Sequence, residues 1–200
     1  MKKLLINISC FFSLFGITAC STDYDVNFIY RLNCSADLLQ FVTPVVKITN
    51  TDGTIETIEL KESDWEKSGN STMEVKTPTG SYSSTQSVFG YIWTKTLYYS
   101  DFGVYSSMEV CYKRITNMPE IKPDNVFIFS HALSCTVSAV KEEKGLFKGN
   151  SQDINSNMEI DIPSYDLVIG NDVEKYIEEL IKSSDKKTCS VDGDGNIKRQ

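Results

Sequence analysis

Six cysteines, one histidine and several close pairs of acids carry most of the chemical reactivity in this 200-residue chain. His131 stands alone, which excludes a catalyst or a metal site built from several imidazoles. Alternation puts it on the apolar side of a candidate strand over 126–139. There it reads as a hydrogen-bonded core or rim histidine rather than a general base. A cysteine–histidine nucleophile would need Cys34, Cys111 or Cys189 brought to it by the fold, and no local signature supports one. No CxxC spacing occurs, so a zinc knuckle or a redox dithiol is not expected. Asp192-Gly193-Asp194-Gly195-Asn196 spaces oxygens like the opening of a calcium loop, but Ile197 stands where that loop needs glycine, and a terminal turn is the better reading. Glu56 with Glu59, and Glu142 with Glu143, have the residue types of a glycosidase pair. Charge-lined strands and loops explain them more simply. No catalytic residue, metal or cofactor is expected. Trp65, Tyr91, Trp93, Tyr98, Tyr99 and Tyr105 could build a binding platform, although most suit a core. Tyr98 and Tyr99 are the sharper ligand-binding candidates: neighbours in a strand face opposite ways, so one of them should be exposed.

These side chains need elements to position them, and period-two alternation supplies strands. Residues 26–34, 44–49, 54–60, 87–98, 104–115 and 126–139 read as strands, the last of them central; Ser68-Gly69-Asn70 and Pro78-Thr79-Gly80 punctuate the stretch between, with a short strand possible at 72–77. Asn50-Thr51-Asp52-Gly53 is a hairpin turn, because Asp-Gly tolerates positive φ. Val26, Phe28, Tyr30, Leu32 and Cys34 share one face. Phe127, Phe129, Leu133, Cys135 and Val137 share another, whereas Cys111 sits with Ser107, Glu109 and Lys113. Four body cysteines allow three pairings; a buried Cys34–Cys135 bridge is the expected one, with reduced core thiols as the alternative. Val173, Tyr176, Ile177, Leu180 and Ile181 recur at helical spacing behind Asn171 as N-cap.

The first residues have the parts of an export signal. Lys2 and Lys3 precede an apolar run from Leu4 to Ile17, shorter than the ~20 residues of a membrane span. The run ends in Ile17-Thr18-Ala19-Cys20, which resembles the lipobox of bacterial lipoproteins. The resemblance implies cleavage before Cys20, a diacylglyceryl (palmitate-type) group on its sulfur, and a further acyl chain on the freed amine. Each buried methylene contributes ~0.8 kcal/mol, so two or more chains hold where one does not. Ser21 follows, without the Asp that retains some lipoproteins in the inner membrane, and Asp23 and Asp25 loosely resemble the acidic surface-export signal of Bacteroidetes lipoproteins. The whole is similar to small Bacteroidetes lipoproteins that carry an immunoglobulin-like all-β module.

Net charge is −7, and −9 once the two leader lysines are removed. That acidity opposes nucleic acid and anionic headgroups as partners. A tyrosine-, serine- and threonine-rich body favours strands. The expectation is therefore a mainly β, antiparallel immunoglobulin-like β-sandwich with one C-terminal helix. Its parts are a signal peptide (1–19), an acidic tether (20–25), the domain (26–183) and a flexible tail (184–200). The expected role is non-catalytic binding at the outer membrane or cell surface. The membrane is met through the N-terminal lipid, and the partner is a glycan, a peptide or another lipoprotein. The alternative is a structural or assembly subunit of a surface complex or pilus, with a hydrolase less favoured.

Overall fold

The computed structural model describes residues 23–77, 80–100, 103–142, 152–158 and 164–200. The signal peptide, Cys20, the segment 143–151 and most of 158–162 lie outside them. In chain order the elements are β1 (Asp23–Ser35), α1 (Ala36–Leu39), β2 (Val42–Asn50), β3 (Ile55–Glu59), β4 (Glu66–Thr77), β5 (Gly80–Ser100) and β6 (Val104–Arg114). There follow β7 (Val126–Glu142), β8 (Gln152–Met158), β9 (Ser164–Ile169), α2 (Gly170–Leu180), β10 (Ser184–Val191) and β11 (Ile197–Arg199). Two antiparallel sheets result. The first runs β4-β5-β1-β7-β8, with β9 also on β7; the second runs β11-β10-β6-β2-β3. The expected mainly β sandwich forms.

Its core follows from the alternation. Val26, Phe28, Tyr30, Leu32 and Cys34 of β1 are fully buried, and Val46, Ile48, Met108 and Val110 meet them from β2 and β6. Each large apolar side chain contributes ~1.5–3 kcal/mol by leaving water. At the C-terminal end of β1 the chain turns into α1, where Ser35 Oγ accepts from Leu38 N (3.4 Å) and from Ser130 N of β7 (3.0 Å). Phe41 then closes that end, edge-on to Phe127 (5.1 Å between centroids) and Phe129 (5.5 Å). At the other end Gly53 takes φ +79° in the β2–β3 turn, as Asp-Gly allows.

Four expectations need correction. The first strand starts at Asp23 rather than Val26, inside the segment expected to be a tether. The helix begins at Gly170, and Asn171 is not its cap. Gly170 N donates to Asn125 O (2.9 Å), and a Cβ there would lie 1.9 Å from Lys122 O, so close backbone approach decides the start. The helix is not the last element, because residues 184–200 are a hairpin rather than a loose tail: β10 pairs with β6 and buries Cys189 and Val191. Alternation was hard to see there, since the residues of β10 on the side of Cys189 and Val191 begin with Asp185 and Lys187. Finally, Ser68-Gly69-Asn70 is not a break between strands; it lies within β4, which bulges between Lys67 and Gly69.

Candidate functional site

The β1–β7 register sets Cys34 opposite His131 and Cys135 opposite Tyr30. The two cysteines share the inner face but sit four residues apart, ~13 Å along the strand direction. A disulfide needs Cα atoms within ~7 Å, so the expected Cys34–Cys135 bridge does not form; both are buried thiols. Cys135 instead hydrogen-bonds Cys189 of β10 across the interface.

The same register gathers a group that the sequence alone could not place. Cys34 lies opposite His131, and His131 Nε2 is 2.9 Å from Asp185 Oδ2 on the other sheet. That hydrogen bond holds the Asp185 carboxyl below its ordinary range. Tyr112 meets the imidazole edge-on at 5.4 Å. The residue types are those of a thiol nucleophile, a base and an orienting acid, but the surroundings of the thiol do not favour its thiolate. Cys34 is fully buried, and burial first, then the Asp185 charge, pushes its thiol up rather than down. A nucleophile needs the thiolate. The His131–Asp185 contact ties β7 to β10 across the two sheets.

Glu56 and Glu59 are an odd number of residues apart on β3, so they face opposite sides. Glu56 accepts from Trp93 Nε1 (3.2 Å), and Glu59 is engaged by Lys113. They cannot flank one substrate. Glu142 and Glu143 fall where side chains are not described. In the β10–β11 turn Asp192 Oδ1 accepts from Asn196 N (2.9 Å) and Asp194 N (3.1 Å), while Lys198 Nζ stands 3.1 Å from Oδ2. Protein donors occupy the oxygens a cation would use. Among the described residues no group of three or more His, Cys, Asp or Glu side chains is arranged to hold a metal, and no helix is long and apolar enough to cross a membrane.

Among the described residues, two of the clefts lie at opposite ends of the sandwich. Tyr98 is half exposed, as expected of one member of its pair, and lines a cleft of ≈ 390 Å³ with Thr51, Asp52, Thr96 and Gly103. The Tyr99 side chain lies outside the described residues. Asp25, near the start of β1, pairs with Tyr98, so this is the N-terminal end. The second cleft, ≈ 360 Å³, lies where β1 finishes, and its lining includes Gln40, Thr43, Leu60, Glu62, Trp65 and Phe89. A 3₁₀ turn, Glu62–Asp64, sets Trp65 in place, fastened by Lys61 N donating to Asp64 Oδ2 (2.7 Å). An apolar floor with a few polar groups at its margin is the usual make-up of a binding site. Only Trp65 signalled this site in advance, because five separate segments assemble it. Tyr91 and Trp93 went to the core side, as most of the aromatics were expected to do. Comparison with known protein families, with curated proteins and with solved structures finds no match to this chain.

Proposed function

We propose that the chain is a lipid-anchored, non-catalytic binding module of the cell envelope that presents its Trp65 cleft away from the membrane. The observation that carries this is the direction of β1. Cys20 comes three residues before Asp23, and the thirteen residues of β1 run from the Tyr98 end to the α1 end. That strand spans ~40 Å at ~3.3 Å per residue. An anchor at Cys20 therefore leaves the Tyr98 cleft beside the lipid surface and the Trp65 cleft facing outward. The partner classes are a glycan, a peptide or another lipoprotein, for which an aromatic wall with polar neighbours is suited. The outer membrane is the proposed location, with the folded part on the periplasmic or cell-surface side.

One observation favours the second reading, an assembly subunit. Residues 80–87 of β5 lie beyond the end of β1 and, among the described residues, pair only with β4, so this two-stranded arm offers a backbone edge to another chain.

The test has two stages. Cys20→Ala should abolish labelling by radioactive palmitate and leave an uncleaved precursor; normal processing would refute the anchor. In labelled cells, a photo-crosslinking residue at Glu62 should yield adducts that one at Asp52 does not. Adducts from Thr72 alone would favour the assembly reading, and adducts from none of the three would refute outward binding.

A further inference from the structure

Cys135 and Cys189 are each 1% exposed, and they come from different sheets. Cys135 faces inward from β7 between Leu133 and Val137. Cys189 faces inward from β10, opposite Ser106 of β6. These strands make the most extensive strand-to-strand approach between the sheets, with Cα atoms within 8 Å, where packed sheets usually stand ~10 Å apart. They also run in step. His131 meets Asp185 at 2.9 Å, and a further four residues along each strand bring Cys135 to the level of Cys189, with Tyr30 opposite Cys135 bonded to Ser106 O, whose residue pairs with Cys189. Tyr30 crosses beside them to donate to Ser106 O (2.5 Å), so the sulfurs sit at the centre of the interface. Among the described residues, the other two cysteines are not set opposite a second thiol. Cys34 lies four residues away at the level of His131, and Cys111 is on the exposed face of β6.

We propose that Cys135 and Cys189 are a disulfide-forming pair that joins the two sheets covalently in an oxidising compartment. The donor is another disulfide, R–S–S–R, supplied by an exported thiol oxidase or a small-molecule disulfide. One cysteine thiolate attacks it, forming a mixed disulfide and releasing the first thiol. The second cysteine then displaces the other. Both protein S–H bonds and the donor S–S bond are broken, one protein S–S bond forms, and the two protons and the electron pair leave on two R–SH molecules. In the folded chain the Cys189 contact and burial raise the Cys135 thiol well above its ordinary range. Exchange must therefore precede closure of the sheets, and the finished bond is shielded from reductants.

The test uses the full chain, reduced, denatured and refolded in detergent with oxidised glutathione as donor, then alkylated, digested and mapped by mass spectrometry. The expected product joins the Cys135 and Cys189 peptides, two hydrogens lighter than their sum, with Cys34 and Cys111 alkylated. Reduction should lower the melting temperature by ~5–10 °C. Alkylation of both Cys135 and Cys189, or a predominant bridge from either of them to Cys10, Cys20, Cys34 or Cys111, would overturn the proposal. Replacing Cys34 and Cys111 by serine should preserve the bridge; if that variant does not fold, the map of the wild-type chain decides alone. Because the donor is added, the outcome does not depend on lipidation, and a failure at Cys20 would leave it standing.

Discussion

Along the seam where β5 faces β3, the sheets are joined by long polar side chains. Lys95 Nζ reaches Asp52 and Thr54, both at 2.8 Å, and Trp93 donates its indole N–H to Glu56. Along the opposite seam, where β7 faces β10, the ties are short: His131 to Asp185, and the thiols of Cys135 and Cys189. The first seam is partly wet, with Lys95 22% and Asp52 41% exposed. Ion pairs of that kind contribute ~0–1 kcal/mol, because water screens the charges and ordering long chains costs entropy. In the second seam the sulfurs are dry, and Cα atoms of the two strands come within 8 Å of one another. Two edges of one sandwich thus solve the same problem differently. Long side chains bridge a wide gap reversibly; small ones need the strands drawn together.

The largest effect that would sharpen this contrast comes from Trp93, which combines burial with its bond to Glu56. Trp93→Ala should cost ~3–4 kcal/mol in urea unfolding of the refolded chain. A loss below ~1 kcal/mol would show that the β3–β5 seam is not anchored there. Acid should act on both seams. The Lys95 hydrogen bond lowers the Asp52 carboxyl to about 2, and the His131 hydrogen bond lowers that of Asp185. A depressed carboxyl contributes its stability above its unfolded value of ~3.9 and loses it as pH falls through the folded one. Stability should therefore drop on titrating from pH 5 toward 2, by less than ~1 kcal/mol per pair after screening. Asp185→Asn should flatten this acid limb while leaving the Asp52 part; an unchanged limb would remove Asp185 from the account. Besides His131 and Lys187, Asp185 is faced by Cys34, Cys111, Tyr112 and Tyr176, all of them neutral near pH 4. The smallest change belongs to Lys95→Met. It should cost ~0.5 kcal/mol or less, and that cost should vanish in 1 M salt. A larger, salt-independent loss would mean the lysine stem, not its charge, holds the seam.

Much of the fold was legible because the information is local. In residues 26–34 every second side chain is apolar, and those are the ones buried. Asp52-Gly53 marked its turn, and Val173, Ile177 and Leu180 marked the buried stripe of α2. Missed elements were those whose inward positions are half polar, as in β10, or whose boundary depends on a distant backbone, as at Gly170.

The candidate site was far less legible. Trp65 was visible as an aromatic, but α1, β2, β5 and the segments around Glu62 and Ile115 had to meet before it walled a cleft. The cysteines show the division most clearly. Alternation determined by itself that Cys34 and Cys135 face inward and that Cys111 does not. It could not say that Cys34 stands four residues out of register with Cys135, or that Cys189, from a segment that looked like a tail, lies across from it. The side a residue faces is set by the pleat within one strand. What it meets across the interface is set by how two whole sheets stack, and that is encoded only in the sum of their contacts.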